Sequence, residues 1–87
     1  NDEAAFGIYK WAERNNRSIP NDFSVIGFDD ILMANYVSPR LTSMHFPKFE
    51  MAKACAMMAY QEIYNKKAPG GVKFKTTIVA RDSVAKR

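Results

Sequence analysis

The stretch IPNDFSVIGFDD, at positions 19–30, decides the fold, because a loop, a strand and a polar strand end follow one another within it. Pro20 disfavours helix in the residue before it, which predicts a loop over residues 19–22. Residues 23–27 are mostly apolar and include two β-branched side chains, as is typical of a buried strand in a parallel sheet.

The end of this strand carries the first candidate site residues. Gly27 lets the backbone turn sharply, which places Asp29 and Asp30 at the carboxyl end of the strand. Ligands of open α/β sheets bind at that edge. Asp29 is therefore a candidate ligand contact, with capping of the following helix as the alternative, and Asp30 is the better capping candidate.

Helical periodicity precedes the strand. Asp2 is the predicted N-cap of a helix over residues 3–15. Its apolar positions are Ala4, Ala5, Ile8, Trp11 and Ala12. Phe6 and Tyr9 form a second apolar patch, which predicts that this helix has two partners.

After the strand, the pattern predicts a short helix over residues 31–36, a strand over 41–46, a long helix over 47–65 and a final strand over 72–80. The breaks at Pro39 and at residues 68–71 separate these elements. The alternation predicts an α/β fold of parallel strands with flanking helices. Parallel strands need crossover helices, so we expect a further strand before Asn1 and a fold that is incomplete as a fragment.

Composition limits the classes of function. The 87 residues are 47% hydrophobic and 25% charged, which is typical of a globular protein and not of a disordered chain. The net charge of +4 is spread along the chain, which predicts a solvated surface and not a nucleic-acid site. The single cysteine, Cys55, is predicted to be a small buried residue of the long helix and fits a reducing cytoplasm.

Four blocks of sequence together resemble the C-terminal third of LacI/GalR transcription regulators, in that family's order and close to its spacing. The blocks are NDEAAFG at 1–7, IPNDFSVIGFDD at 19–30, PRLTS at 39–43 and RDS at 81–83.

This resemblance implies a partial periplasmic-binding-protein-like (Rossmann-like) fold, with a sugar or other small metabolite bound between two α/β lobes. It assigns residues 1–45 to the C-terminal effector-binding lobe and dimerisation surface, 46–72 to the crossover and long helix of the N-terminal lobe, and 73–87 to a return strand and tail. It implies a cytoplasmic homodimer without cofactor, metal or membrane partner, which contacts operator DNA only through a helix-turn-helix headpiece outside these residues.

The resemblance also implies roles for single residues. Asn1 and Asp29 match positions whose side chains hydrogen-bond the effector, although Asn1 could instead serve as a turn or cap residue. Phe46, at a crossing between lobes, either stacks on a sugar face or fills the lobe junction, and the family commonly has a polar residue there. His45 beside it is expected to be a surface or hydrogen-bonded histidine without a catalytic role.

A predicted subunit interface lies on the first helix. Phe6, Lys10 and Arg14 share one helical face and, with Tyr36, match the surface through which family subunits pair. The alternative is that Phe6 and Tyr36 pack within their own lobe.

Two other functions compete with a regulator. A periplasmic solute-binding protein would share the fold, and the blocks at 39–43 and 81–83 favour the regulator over it. An enzyme could use Asp29 and Asp30 to hold Mg²⁺, but no phosphate-binding loop or Cys/His cluster accompanies the pair, so no enzyme activity is expected.

Overall fold

The computed structural model describes residues 1–64 and 73–87 and confirms the predicted order of helices and strands. The elements are α1 (Asp2–Arg14), β1 (Ile26–Phe28), a 3₁₀ helix (Leu32–Asn35), β2 (Thr42–His45), α2 (Lys48–Ile63) and β3 (Thr77–Val79). The predicted end of the long helix at Asn65, the break at 68–71 and the predicted strand start at Val72 lie outside the described residues.

The chain divides into two compact units. One consists of Asn1–His45 with Thr77–Arg87, and the other of Phe46–Thr76. The assignment of residues 1–45, 46–72 and 73–87 to particular lobes remains a prediction.

The sheet belongs to the first unit and has the order β1-β2-β3. β1 and β2 are parallel, with Ile26 opposite Thr42, while β3 runs antiparallel to β2, with Thr77 opposite His45. The expectation of parallel strands throughout is therefore wrong for β3. Its first residue pairs with the last residue of β2, so the chain enters β3 at the edge where β2 ends.

α1 is capped and packed differently from the prediction. Asn1, not Asp2, is the N-cap, and its Oδ1 accepts a hydrogen bond of 2.8 Å from Ala4 N. The buried face carries Ala5 and Ala12, whereas Ile8 and Trp11 are 43% and 53% exposed. The face that packs is thus rotated away from the predicted apolar stripe.

The core of this unit is small, with Ala5, Val25, Ala34 and Leu41 as its buried apolar residues. The prediction of a buried strand is wrong for two of the three residues of β1, Ile26 and Phe28. Ile26 is 56% exposed because β1 lies at the edge of the described sheet and pairs with β2 alone.

α2 has no buried residue, and Cys55 is exposed, so the prediction that this cysteine is buried is wrong. The reason is that α2 is the only helix or strand among the described residues of its unit, so no second element of that unit covers its apolar side chains. Pro47 occupies the N-cap position and not the first turn. No helix among residues 1–64 and 73–87 is long and apolar enough to cross a bilayer.

Candidate functional site

The candidate site is the turn that follows β1. β1 and β2 are parallel, so their carboxyl ends share one edge of the sheet, and Asp29 N donates a 3.0 Å hydrogen bond to Met44 O there. Asp29 and Asp30 have φ angles of 118° and 55°. Such conformations cost non-glycine residues about 1–3 kcal/mol each and persist only where the surroundings hold them. The turn is therefore strained, as residues at binding sites often are.

Two buried side chains, Asp2 and Ser43, accept hydrogen bonds from the backbone of this turn. Asp30 N donates to Ser43 Oγ at 3.0 Å, and Ile31 N donates to Asp2 Oδ2 at 2.8 Å. Ser43 Oγ itself donates to Asp2 Oδ1 at 2.6 Å, and Asp2 and Ser43 are both fully buried. The first turn of α1 and the middle of β2 thus bind the two amides that follow Asp29.

Gly27 makes room for this network. A Cβ atom at Gly27 would overlap Asp2 Oδ1 and would lie 2.8 Å from Leu41 Cδ2. Leu41 is fully buried as well, so neither neighbour has space to yield. The requirement for glycine here is therefore the close approach of Asp2 to the strand.

The Asp30 carboxylate binds Arg81 and His45, and the prediction that it caps the next helix is wrong. Arg81 Nη2 donates to its Oδ1 at 2.5 Å, and His45 Nδ1 lies 3.0 Å from its Oδ2. Burial alone would raise the pKa of Asp30, but the hydrogen bonds and charges of Arg81 and His45 outweigh burial and lower it. The amide of Ile31, where the 3₁₀ helix begins, is bound by Asp2 instead.

These contacts involve the acidic residue that a metal-dependent enzyme would use. Both oxygens of Asp30 are already engaged, and the described part of the chain contains no cluster of three or more His, Cys, Asp or Glu side chains that could hold a metal ion. His45 is exposed and pairs with Asp30, which agrees with the expectation of a surface or hydrogen-bonded histidine.

Arg81 and Ser83, in the block at 81–83, form hydrogen bonds with residues at or next to the starts of β1 and β2. Ser83 Oγ donates to Val25 O at 2.6 Å and accepts from Thr42 N at 2.8 Å, which ties the starts of β1 and β2 together. Arg81 Nη1 donates to Leu41 O at 2.6 Å, and its side chain is only 8% exposed. The sequence marked this block as part of a resemblance but did not assign these contacts, because their partners lie about forty residues or more away in the chain.

The two other predicted effector contacts differ in their surroundings. Asn1 is exposed and caps α1 through Oδ1, and it directly precedes Asp2. The cap uses the acceptor only, so the amide nitrogen keeps its donors for another partner. Phe46 belongs to the second unit, where it is half-buried and Lys48 Nζ lies 4.8 Å from its ring centroid.

The predicted interface residues are unevenly exposed. Phe6 is half-buried and packs edge-on against Tyr9, with 6.4 Å between the ring centroids. This contact agrees, for Phe6, with the alternative that Phe6 and Tyr36 pack within their own lobe. Lys10 and Arg14 are exposed, and Tyr36 is 72% exposed. Phe6 and Lys10 line an open groove of about 550 Å³ between α1 and the loops near residues 17–19 and 37–39. Pairing of subunits through this surface remains a prediction.

Comparison with known proteins finds similarity to transcription regulators. Residues 1–84 match the family described as periplasmic binding protein-like domain. The chain is 36% identical to the transcriptional repressor PurR of Vibrio campbellii and 37% identical to the transcriptional regulator GalR of Escherichia coli, over 99% and 98% of its length. It spans about a quarter of those relatives, 26% and 25%.

Solved structures agree. A sugar-binding LacI-family regulator from Enterococcus faecalis is similar with a TM-score of 0.89 and 26% identity, over 99% of this chain and 32% of that one. A LacI-family regulator from Enterococcus faecalis with bound ribose has a TM-score of 0.85 and 31% identity, over 98% and 32%. These relatives are named as regulators and not as enzymes, and they confirm the predicted resemblance and the α/β fold.

Proposed function

This chain belongs to the family of periplasmic binding protein-like domains, and we propose that it forms part of the effector-binding and dimerisation region of a cytoplasmic transcription regulator that senses a sugar. The observation that carries the proposal is the strained turn at Asp29, which lies at the ligand-binding edge of a parallel strand pair. The similarity to regulators solved with ribose and with lactose supports a sugar as the effector.

The chemistry of Asp29 suits a sugar. A carboxylate accepts two or more hydrogen bonds, so one side chain can bind adjacent hydroxyl groups. The hydrogen bonds behind Asp29 hold its backbone in place before the ligand arrives, which reduces the entropy lost on binding. In the proposal Asn1 donates from its amide nitrogen, and Phe46 lays its ring against the sugar face.

The proposed output is a change in DNA binding. Effector binding favours one arrangement of the lobes, and the arrangement of two subunits paired through α1 and Tyr36 sets the spacing of their headpieces on operator DNA. By linkage, operator DNA then changes effector affinity by the same factor as effector changes operator affinity.

The test is calorimetric titration of the full-length protein with a panel of sugars that includes ribose and lactose. We expect saturable binding of at least one sugar. Asp29→Asn removes a charged acceptor. A hydrogen bond to a charged group contributes about 1.5–3 kcal/mol, so the affinity should fall by about 10- to 150-fold.

Asp22→Asn is the matched control, because Asp22 is an exposed aspartate that accepts a hydrogen bond from Ser18 N within the loop before β1. Its affinity for the sugar should equal that of the wild type. Failure of the wild type to bind any sugar of the panel would contradict sugar sensing, and unchanged affinity in Asp29→Asn would remove Asp29 from the site.

A further inference from the structure

We infer that Asp2 and Ser43 are positioning residues for effector binding, acting on the ligand through the backbone that follows the candidate contacts Asn1 and Asp29. The inference rests on the proposed function, since it takes Asp29 as an effector contact. Neither side chain touches the ligand in this proposal, because both are fully buried.

The first step is the capture of two consecutive amides. Ser43 Oγ accepts from Asp30 N at 3.0 Å, and Asp2 Oδ2 accepts from Ile31 N at 2.8 Å. The hydrogen bond that Ser43 Oγ donates to Asp2 Oδ1 connects the two acceptor side chains to each other. The backbone that leaves Asp29 is therefore fixed by two elements distant in sequence, the start of α1 and the middle of β2.

The second step is the conformation that this capture maintains. Asp29 and Asp30 both have positive φ, and neither is a glycine. Without the two hydrogen bonds, the chain would relax to the more populated extended or right-handed helical conformations. Relaxation would turn the Asp29 side chain away from its present direction, so the fraction of molecules ready to bind would fall.

The third step links the other candidate contact. Asp2 directly follows Asn1, so the buried carboxylate that holds the Asp29 turn also anchors the first turn of α1, which Asn1 caps. One buried group thus sets the relative placement of both predicted effector contacts in this unit.

Ser83 provides a matched control for Ser43. Both hydroxyl groups are fully buried, each donates one hydrogen bond and each accepts one from a backbone amide. Ser83 Oγ, however, binds Val25 O and Thr42 N, which lie at the starts of β1 and β2, away from the turn at 29–31. Ser43→Ala and Ser83→Ala should therefore lower the free energy of unfolding to a similar extent, yet only the first should disturb the turn.

The experiment compares these variants in the full-length protein without ligand, by amide hydrogen exchange and by the HN–Hα couplings that report φ. We expect Asp30 N to exchange at least about tenfold faster in Ser43→Ala than in Ser83→Ala, with altered couplings at Asp29 and Asp30 in the first variant only. Equal exchange in the two variants would overturn the inference.

Ligand affinity gives the second readout, with ribose as the probe. If the competent conformation of the turn falls to about a tenth of its population, the apparent dissociation constant rises about tenfold in Ser43→Ala. Ser83→Ala should bind ribose as the wild type does, and equal weakening in both variants would show a general stability effect and overturn the inference. Asp2→Asn, which keeps an oxygen acceptor for Ile31 N and presents an amide donor to Ser43 Oγ, should restore most of the affinity that Asp2→Ala loses.

Two outcomes separate this inference from the proposed function. A wild type that does not bind ribose or any panel sugar counts against sugar sensing, while the exchange comparison still decides whether Ser43 holds the turn. If Ser43→Ala does not fold, exchange in the wild type decides: the amides of Asp30 and Ile31 should exchange as slowly as the Thr42 amide that Ser83 binds, and exchange at the rate of an open loop would overturn the inference.

Discussion

Replacement of Gly27 by alanine tests whether the close approach of Asp2 to β1 stabilises the fold. The added methyl group would overlap Asp2 Oδ1 and lie 3.1 Å from Asp2 Cγ and 2.8 Å from Leu41 Cδ2. Both side chains are fully buried, and Asp2 is held by hydrogen bonds from Ser43 and Ile31. The overlap therefore has to be relieved by moving Asp2 out of its hydrogen bonds or by bending the strand.

The expected magnitude follows from opposing effects. Overpacking costs about 1–3 kcal/mol, and a buried donor or acceptor left without a partner costs about 1–3 kcal/mol. Alanine also reduces the entropy of the unfolded chain, which favours the folded state by at most about 1 kcal/mol. We therefore expect Gly27→Ala to lower the free energy of unfolding by about 1–5 kcal/mol.

Equilibrium urea unfolding of the full-length protein measures the change, and Gly7→Ala is the matched control. Gly7 lies within α1, and a Cβ atom there would meet nothing within 4 Å. The same substitution should stabilise the protein by up to about 1 kcal/mol, because alanine is the better helix former. A Gly27→Ala variant as stable as the wild type would refute the argument from close approach.

Two further predictions concern the ion pairs and the subunit interface. Because the pKa of Asp30 is lowered in the folded protein, its pairing with Arg81 stabilises the fold above the ordinary aspartate value of about 3.9, and that contribution is lost as the pH falls through the folded pKa. Acid unfolding is measured in about 0.5 M salt, which screens the exposed Arg40–Asp82 pair. The fall of the free energy of unfolding with decreasing pH should be less steep in Asp30→Asn than in the wild type and unchanged in Asp82→Asn. Equal slopes for Asp30→Asn and the wild type would contradict this prediction. Tyr36→Asp should raise the dimer dissociation constant at least about tenfold in sedimentation experiments. Leu32→Asp, at a 71% exposed position of the 3₁₀ helix that ends just before Tyr36, should not, and equal effects would remove Tyr36 from the interface.

Local sequence rules were sufficient to find the strand end and the acidic pair. The apolar run before Gly27 and the polar residues after it predict where β1 ends to within a residue, because strand and turn preferences depend on neighbouring side chains. The exposure of Ile26 did not follow from the same run, since burial depends on which other strands pair with β1.

The support of the site could not be found by local rules. Asp2 fits the pattern of an N-cap, but its carboxylate binds Ser43 and Ile31, 41 and 29 residues away. Asp30 fits the same pattern, but its partner Arg81 lies 51 residues away. In both cases the side chain makes a tertiary hydrogen bond, whereas the local rule predicts that it caps a helix.

The interior of the first unit is unusual in its chemistry, since three of its four largest fully buried side chains are polar: Asp2, Ser43 and Ser83. An apolar interior can rearrange when a methyl group is gained or lost, because contacts between apolar groups have no preferred direction. Hydrogen bonds do have direction, and a buried network that loses one member leaves the others without partners. Divergence of ligand preference among proteins built this way should therefore proceed at the exposed rim around Asp29, while the buried polar trio changes rarely and then only through paired substitutions.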